Sequence, residues 1–271
     1  MISIYECLRD DTGIYLIRDE PWKSGRKHFF SRSYEPRIFV KNFNHAEFIG
    51  ETLCNMKNIK CAHYFVAGVG LKKENRIVNY SDIKGKGYDI KIASSDFKDS
   101  EHTYFSVNCR TNLEPFNGLE LVLGLCPSED NKNELTEEII KMFALDVFMG
   151  QQDRYFNNMI FSSDVMGNIH LANLYDFEIS LKSTYIDSDF IYKNDLHTFK
   201  DIDSFKDFMH KYPRLREELE SYLDIDLVDT AIFSYDLRNL NFPEHIAKYL
   251  KDFEDDRKIL IKQIIKNEYE Y

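Results

Sequence analysis

The sequence predicts an α+β fold in two lobes: a small β-rich N-lobe with one helix over residues 1–112, and a larger, mostly helical C-lobe over residues 113–271. Three observations predict it. Hydrophobic residues make up 43% of the 271 and charged residues 30%, which is core-forming material at a length that suits one bilobed domain or two small ones. The first third alternates short apolar runs with turn formers, the pattern of strands. After Thr136 the apolar residues recur at helical steps.

In chain order, Ile14-Tyr15-Leu16-Ile17 and Arg37-Ile38-Phe39-Val40 read as strands, with turns at Asp11-Thr12-Gly13 and Lys23-Ser24-Gly25. From His45 to Lys57 the period changes: Phe48, Ile49, Thr52, Leu53 and Met56 share a helical face, and Asn44 stands where a cap belongs. Strand-like segments follow at Tyr64–Gly70, Arg76–Val78 and Tyr88–Ala93, with Lys84-Gly85-Lys86-Gly87 as a tight turn between the last two. Residues 94–133 read as polar and irregular apart from the run Leu119–Leu125, and the lobe boundary falls inside them. A long helix is expected after Thr136, with Glu137 and Glu138 in its first turn, a stripe of Ile139, Ile140, Phe143, Val147 and Phe148, and Gly150 as its stop. Two short strands, Met159-Ile160-Phe161 and Ile169-His170-Leu171, flank a turn at residues 164–168. From about Asp203 the chain reads as helices, with Pro213 and Pro243 at their starts or breaks.

Charge and cysteine usage narrow the function classes. Against 35 Lys and Arg stand 46 Asp and Glu, a formal net charge of -11. Such a chain repels polyphosphate at long range, which argues against a nucleic-acid partner but is compatible with one small nucleotide held with a divalent cation. No run approaches the roughly 20 apolar residues that span a bilayer. Residues 1–6 show no basic segment leading into an apolar one. The five cysteines, Cys7, Cys54, Cys61, Cys109 and Cys126, are odd in number and form no C-x-x-C pair. The expectation is a cytoplasmic protein with free, buried thiols and no membrane partner.

The order of parts (β-rich lobe with one helix, connector, long helix, loop, hairpin, helices) is that of a protein-kinase-like fold. Phosphoryl transfer from ATP needs a carboxylate for the attacking hydroxyl, oxygen ligands for Mg²⁺, and a cation on the non-transferred phosphates. After the long helix, Asp153 and Asn158 have four residues between them, the spacing of a kinase catalytic loop, which presents a base and a metal ligand from one short segment. Asp176 ends the hairpin, where a strand-end acid either caps a turn or binds metal. Lys41 closes the strand Arg37–Val40 and is the candidate phosphate clamp, although a strand-end lysine is commonly just solvated. Glu47 and Glu51, one turn apart on the following helix, are candidates to hold it, Glu47 preferred. Ser24-Gly25 heads a turn whose backbone N–H groups could meet phosphate; its single glycine is a sparse signal beside a three-glycine loop.

The stretch GQQDRYFNN followed by LYDFE resembles the bacterial HipA-like kinases, distant relatives of the phosphatidylinositol kinases, in which Arg follows the catalytic Asp and the hairpin often ends in L-Y-D. The segment FVKNFNHAEFIGETLCNMKNIKCAHYFVAG, residues 39–68, is similar to the family's strand Lys, helix with early Glu, and short strand. A C-terminal helix with Arg257 fits in general character. The resemblance implies a kinase using Mg·ATP, with Asp153 catalytic, Asn158 and Asp176 as metal ligands and Lys41 as the clamp. It implies transfer to Ser or Thr of a protein, a possible antitoxin partner, and Ser24 as the nearest candidate for autophosphorylation. Tyr155 stands in place of the usual His, and Glu178 in place of the Gly of D-F-G. The chain is shorter than long HipA proteins and is expected to lack their extra N-terminal subdomain. Two alternatives stay open: a small-molecule or lipid kinase on the same fold, and a nucleotide-binding pseudokinase or docking module.

Overall fold

Segments rich in β-branched and aromatic residues supply six strands: Ile14–Arg18 (β1), His28–Phe30 (β2), Ile38–Asn42 (β3), Tyr64–Gly70 (β4), Ile77–Val78 (β5) and Asp89–Ser95 (β6). The structure, a computed structural model, describes residues 14–18, 28–30, 38–42, 44–70, 77–78, 89–95, 98, 101–106, 115–151, 154, 159–177, 180–181 and 202–267. The six strands form one sheet in the order β2-β3-β6-β4-β1-β5. β1 runs parallel to β4, and the other pairings are antiparallel. The turn read at residues 84–87 lies outside the described residues, and the strands on either side of it are not sheet neighbours. β5, only two residues long, pairs at the edge with β1, while the longer β6 takes a central place between β3 and β4. A two-residue strand has too few ladder positions to fill the middle of a sheet.

Between β3 and β4 runs the helix His45–Met56 (α1). Its start is set as the sequence indicates: the Asn44 side-chain oxygen accepts from the Ala46 N–H at 2.9 Å. Phe48, Ile49 and Leu53 are wholly buried, and each such side chain contributes about 1.5–3 kcal/mol on leaving water.

Chain contacts define two units. One comprises residues 1–52, 62–97 and 229–244; the other comprises 53–61, 98–228 and 245–271. They interleave along the chain, where the sequence reading draws one cut at 112/113. The helix Leu227–Asp236 (α6) carries the chain from the second unit back into the first. There Tyr235 meets the Phe48 ring edge-on with centroids 6.2 Å apart, and the Arg238 guanidinium lies 4.3 Å from the centre of the same ring.

The second unit is built around the helix Glu129–Met149 (α3). This helix starts well before Thr136, so Glu137 and Glu138 sit in its body. Ser128 is the cap, accepting from the Asn131 N–H at 3.1 Å, and Glu129 and Asp130 occupy the first turn. The early turns escape an apolar-period reading because a polar residue fills a core position. Asn131 is buried and exchanges two 2.9 Å hydrogen bonds with the backbone of Ile169. From Met142 to Met149 every residue is buried; the helix is enclosed on all sides here.

Residues 94–133 hold more structure than their polarity suggests. Thr103–Phe105 (β7) joins Phe161–Ser163 (β8) and Ile169–Leu171 (β9) in a three-stranded antiparallel sheet, and Pro115–Leu123 (α2) is a helix with proline at its first position. The tail is helical as expected. Ile202–Lys211 (α4) precedes Pro213 and Arg214–Glu220 (α5), and a 3-10 turn at Glu244–Ile246 follows Pro243 and leads into Ala247–Asn267 (α7). Phe143 of α3 meets Phe208 of α4 edge-on at 5.4 Å between centroids, and Phe148 meets Tyr222 at 5.0 Å. Of the three described cysteines, Cys54 is buried while Cys61 and Cys126 are half-buried. Among the described residues no helix is long and apolar enough to cross a membrane.

Candidate active site

The β8–β9 hairpin is closed by Asp164, whose carboxylate accepts from the Met166 N–H at 2.8 Å and the Asn168 N–H at 2.9 Å, with Gly167 at a φ of 83°. Beyond β9 successive groups of the chain are tied down. The Ala172 N–H donates to the Ile160 carbonyl (2.8 Å), the Asn173 amide to the Cys61 carbonyl (2.9 Å), and the Leu174 N–H to the Lys60 carbonyl (2.8 Å). Asp176 follows, half-buried, with a φ of 66°, the left-handed region that residues with a Cβ enter at a cost and Asp tolerates better than most. Phe177 is fully buried, its ring centre 5.5 Å from the Arg154 guanidinium.

The segment carrying Asp153 begins where α3 ends. Gly150 adopts a φ of 60° and a ψ of 45°, its N–H donating to the carbonyls of Asp146 and Val147. A Cβ there would lie 3.3 Å from the Phe253 ring and 3.5 Å from the Arg257 guanidinium, so conformation and space both call for glycine. Arg257, buried on α7, donates from Nε to the Val147 carbonyl at 2.8 Å and adds a charged donor to an acceptor in the last turn of the helix. Then Gln151, 1% exposed, donates its side-chain amide to the Asp176 carbonyl at 2.8 Å. Arg154, 3% exposed, donates from Nη1 to the Tyr175 carbonyl at 3.0 Å and from Nε to the Asp146 carboxylate at 3.1 Å. Burial opposes the charge on Arg154, but the Asp146 carboxylate beside it more than restores it and holds the guanidinium above its ordinary range. Burial leaves the Asp146 carboxyl itself raised despite that partner. The pair is ionic, since a neutral Asp146 would strand a buried guanidinium.

In the other unit, Lys41 is described by its backbone, on β3 opposite Ile92 of β6. Glu47, in the first turn of α1, is fully buried, a position a carboxylate holds only with partners. Glu51 is engaged inside its own unit. It pairs with Arg238, lies 2.7 Å from His63 Nδ1 and accepts from the Tyr64 N–H at 3.0 Å.

Asp153, Asn158, Ser24 and Gly25, with Tyr155 and Glu178, lie outside the described residues. Among the described residues no cluster of His, Cys, Asp and Glu large enough for a metal site occurs. Of the two metal ligands read from the sequence, Asp176 is described, and a half-buried acidic residue on a tethered backbone suits a hard, oxygen-seeking cation such as Mg²⁺ or Mn²⁺. Sequence reasoning gave no role to Asp146, Gln151, Arg154 or Arg238. One signal was available: Asp146 interrupts the apolar run Phe143-Ala144-Leu145-Asp146-Val147-Phe148, and a charge enclosed by core residues needs an opposite charge nearby.

Solved structures, two of them of kinases, share this architecture. CtkA, a proinflammatory kinase of Helicobacter pylori, superposes with a TM-score of 0.58 at 16% identity, over 90% of this chain and 94% of that one. The Golgi casein kinase with Mn/ADP bound gives 0.54 at 14% identity, over 98% of this chain and 76% of that one. Hydra Fam20 with sugar gives 0.51 at 9%, over 98% and 89%. The fold is therefore α+β and protein-kinase-like. No protein-family model matches the sequence, nor does any curated protein; the HipA-like resemblance rests on its motifs alone.

Proposed function

We propose that this chain is an ATP-dependent phosphotransferase of the HipA-like type, moving the γ-phosphate of Mg·ATP to a Ser or Thr hydroxyl of a protein. The observation that carries the reading is the backbone of Asp176: in a kinase-like fold, the acid after the hairpin is tied through the carbonyls at 175 and 176 to Arg154 and Gln151, which bracket Asp153 in the sequence. Asp153 accepts the proton of the attacking hydroxyl as its oxygen bonds to phosphorus and the bond to the ADP oxygen breaks. Asn158 and Asp176 would hold the divalent cation, which neutralises phosphate charge when bound. Lys41 clamps the non-transferred phosphates, and Glu47 holds Lys41; the engagement of Glu51 with Arg238 and His63 favours Glu47 for that task. Ser24-Gly25 offers backbone N–H groups to phosphate, and Ser24 is the candidate self-modified hydroxyl. The Mn and ADP bound in the Golgi casein kinase support an adenine nucleotide with a divalent cation here. The HipA-like resemblance suggests an antitoxin as a partner, the cysteine usage suggests a cytoplasmic setting, and the net charge of -11 supports protein rather than nucleic acid as the substrate.

Transfer of labelled γ-phosphate from Mg·ATP, to the chain itself or to lysate proteins, tests this. Asp153→Asn and Asp176→Ala are expected to lower transfer by at least about 10²-fold; transfer that survives both sinks the assignment. A second reading, nucleotide binding without turnover, is favoured by Tyr155 and Glu178 at two motif positions, and a thermal shift with Mg·ATP in the absence of transfer would select it.

A further inference from the structure

We infer that Gln151 and Arg154, the latter held by Asp146, are positioning residues that aim the Asp176 carboxylate by fixing the two peptide groups on either side of its Cα. This deepens the phosphotransferase reading and rests on it. A residue's φ and ψ are set once its flanking peptide planes are set, because each plane is rigid. Arg154 Nη1 holds the Tyr175 carbonyl at 3.0 Å and Gln151 Nε2 holds the Asp176 carbonyl at 2.8 Å. The two bonds thus secure the left-handed conformation of Asp176, with its φ of 66°, and with it the direction of the Cα–Cβ bond. Both donors are buried, so water does not compete for the carbonyls.

The donors are themselves fixed. Arg154 is anchored on the Asp146 carboxylate, through Nε at 3.1 Å and Nη2 at 3.3 Å. The Gln151 N–H donates to the Asp146 carbonyl at 2.9 Å. Asp146 stands on α3 one turn before Gly150, where Arg257 holds the helix end. The orientation of the hairpin acid is therefore referred back to a helix whose last two turns are wholly buried. Asp146 has a second consequence: it neutralises Arg154, so the donor nearest the acid brings no net positive charge to oppose a cation. A buried ion pair is poorly suited to adding stability, because apolar replacements of similar volume often do as well; fixing a geometry is the work it does better.

Mn²⁺ binding to the full chain in the presence of ADP, read by electron paramagnetic resonance, tests the inference alongside metal-free ADP affinity and the thermal midpoint. Gln151→Met keeps the length and removes the donor, and Arg154→Lys keeps the charge but cannot reach Asp146 and Tyr175 as a fork. Each is expected to weaken Mn²⁺ binding about tenfold, the low end for a residue that orients a metal ligand, with metal-free ADP affinity as in the wild type; the midpoint stays near the wild type in Gln151→Met and falls in Arg154→Lys, which loses part of its hold on buried Asp146, and the loss of Mn²⁺ affinity in either folded variant supports the inference. Wild-type Mn²⁺ affinity in both variants overturns it. So does a parallel fall of Mn²⁺ affinity, ADP affinity and midpoint, or loss of the fold in both, since these mark a structural role alone. A folded wild type that binds neither Mn²⁺ nor ADP overturns the phosphotransferase reading itself, and that failure is told apart because it needs no variant.

Discussion

Asp146 and Arg154 show how much one buried pair constrains its surroundings. Each charge is almost wholly removed from water, and each is tolerable only because the other is present. The two possible losses differ sharply in consequence. Arg154→Met leaves a carboxylate in the core of α3 and is expected to lower the unfolding free energy by about 3–5 kcal/mol. The double variant Asp146→Leu/Arg154→Met removes both charges and is expected to regain most of that loss. Urea denaturation of the wild type and both variants measures it, and a double variant no more stable than the single one contradicts the account.

Among the elements, α7 stabilises its neighbours by reaching their ends. Glu254 of α7 accepts from the Leu227 N–H at the start of α6 at 2.6 Å and pairs with Lys251 and Lys258, both at 2.9 Å. Burial pushes the Glu254 carboxyl up, but that N–H and the two lysines outweigh it and hold the carboxyl below its ordinary range. The sign follows: a depressed carboxyl adds stability above the unfolded-state value, about 4.3 for glutamate, and loses it as pH falls through the lower folded-state value. Glu254→Gln is therefore expected to cost about 1–3 kcal/mol at neutral pH and to narrow its deficit from the wild type as pH drops below about 4. Chemical denaturation at pH 7 and pH 3.5 checks this; a deficit that widens in acid contradicts it. Legibility differed among the elements. α1, β4 and the helical tail carry strong local periods and could be read directly. The start of α3 could not, because Asn131 fills a core position with a polar side chain that only its bonds to Ile169 make acceptable. β7 and α2 were hidden among charged neighbours.

At the scale of the whole chain, residues 229–244 return to the unit formed by residues 1–52 and 62–97. Arg238 makes that return consequential: it pairs with Glu51, donates to the Tyr64 carbonyl at 3.2 Å and covers the Phe48 ring. Arg238→Ala removes a cation from a buried carboxylate and is expected to destabilise its unit by about 3 kcal/mol. Native-state hydrogen exchange should show protection falling in α1 and β4; unchanged protection there would mean that Arg238 is dispensable. Of the candidate site, the sequence offered the acids, the carboxamide and the lysine by spacing within short segments. The supporting shell was not readable, because Gln151 meets Asp176 and Arg238 meets Glu51 across long stretches of chain.

By itself, then, the sequence determined much of what depends on near neighbours: the helix α1, the strand β4 and the helical tail, where Gly150 ends a helix, and which short motifs could serve phosphate chemistry. The tertiary structure decided the order of strands in the sheet, the return of residues 229–244 to the first unit, and the buried hydrogen bonds that set the backbone of Asp176. The physical reason is that local periodicity reports which face of an element is apolar, whereas a buried charge or carbonyl takes its partner from wherever folding brings one within about 3 Å.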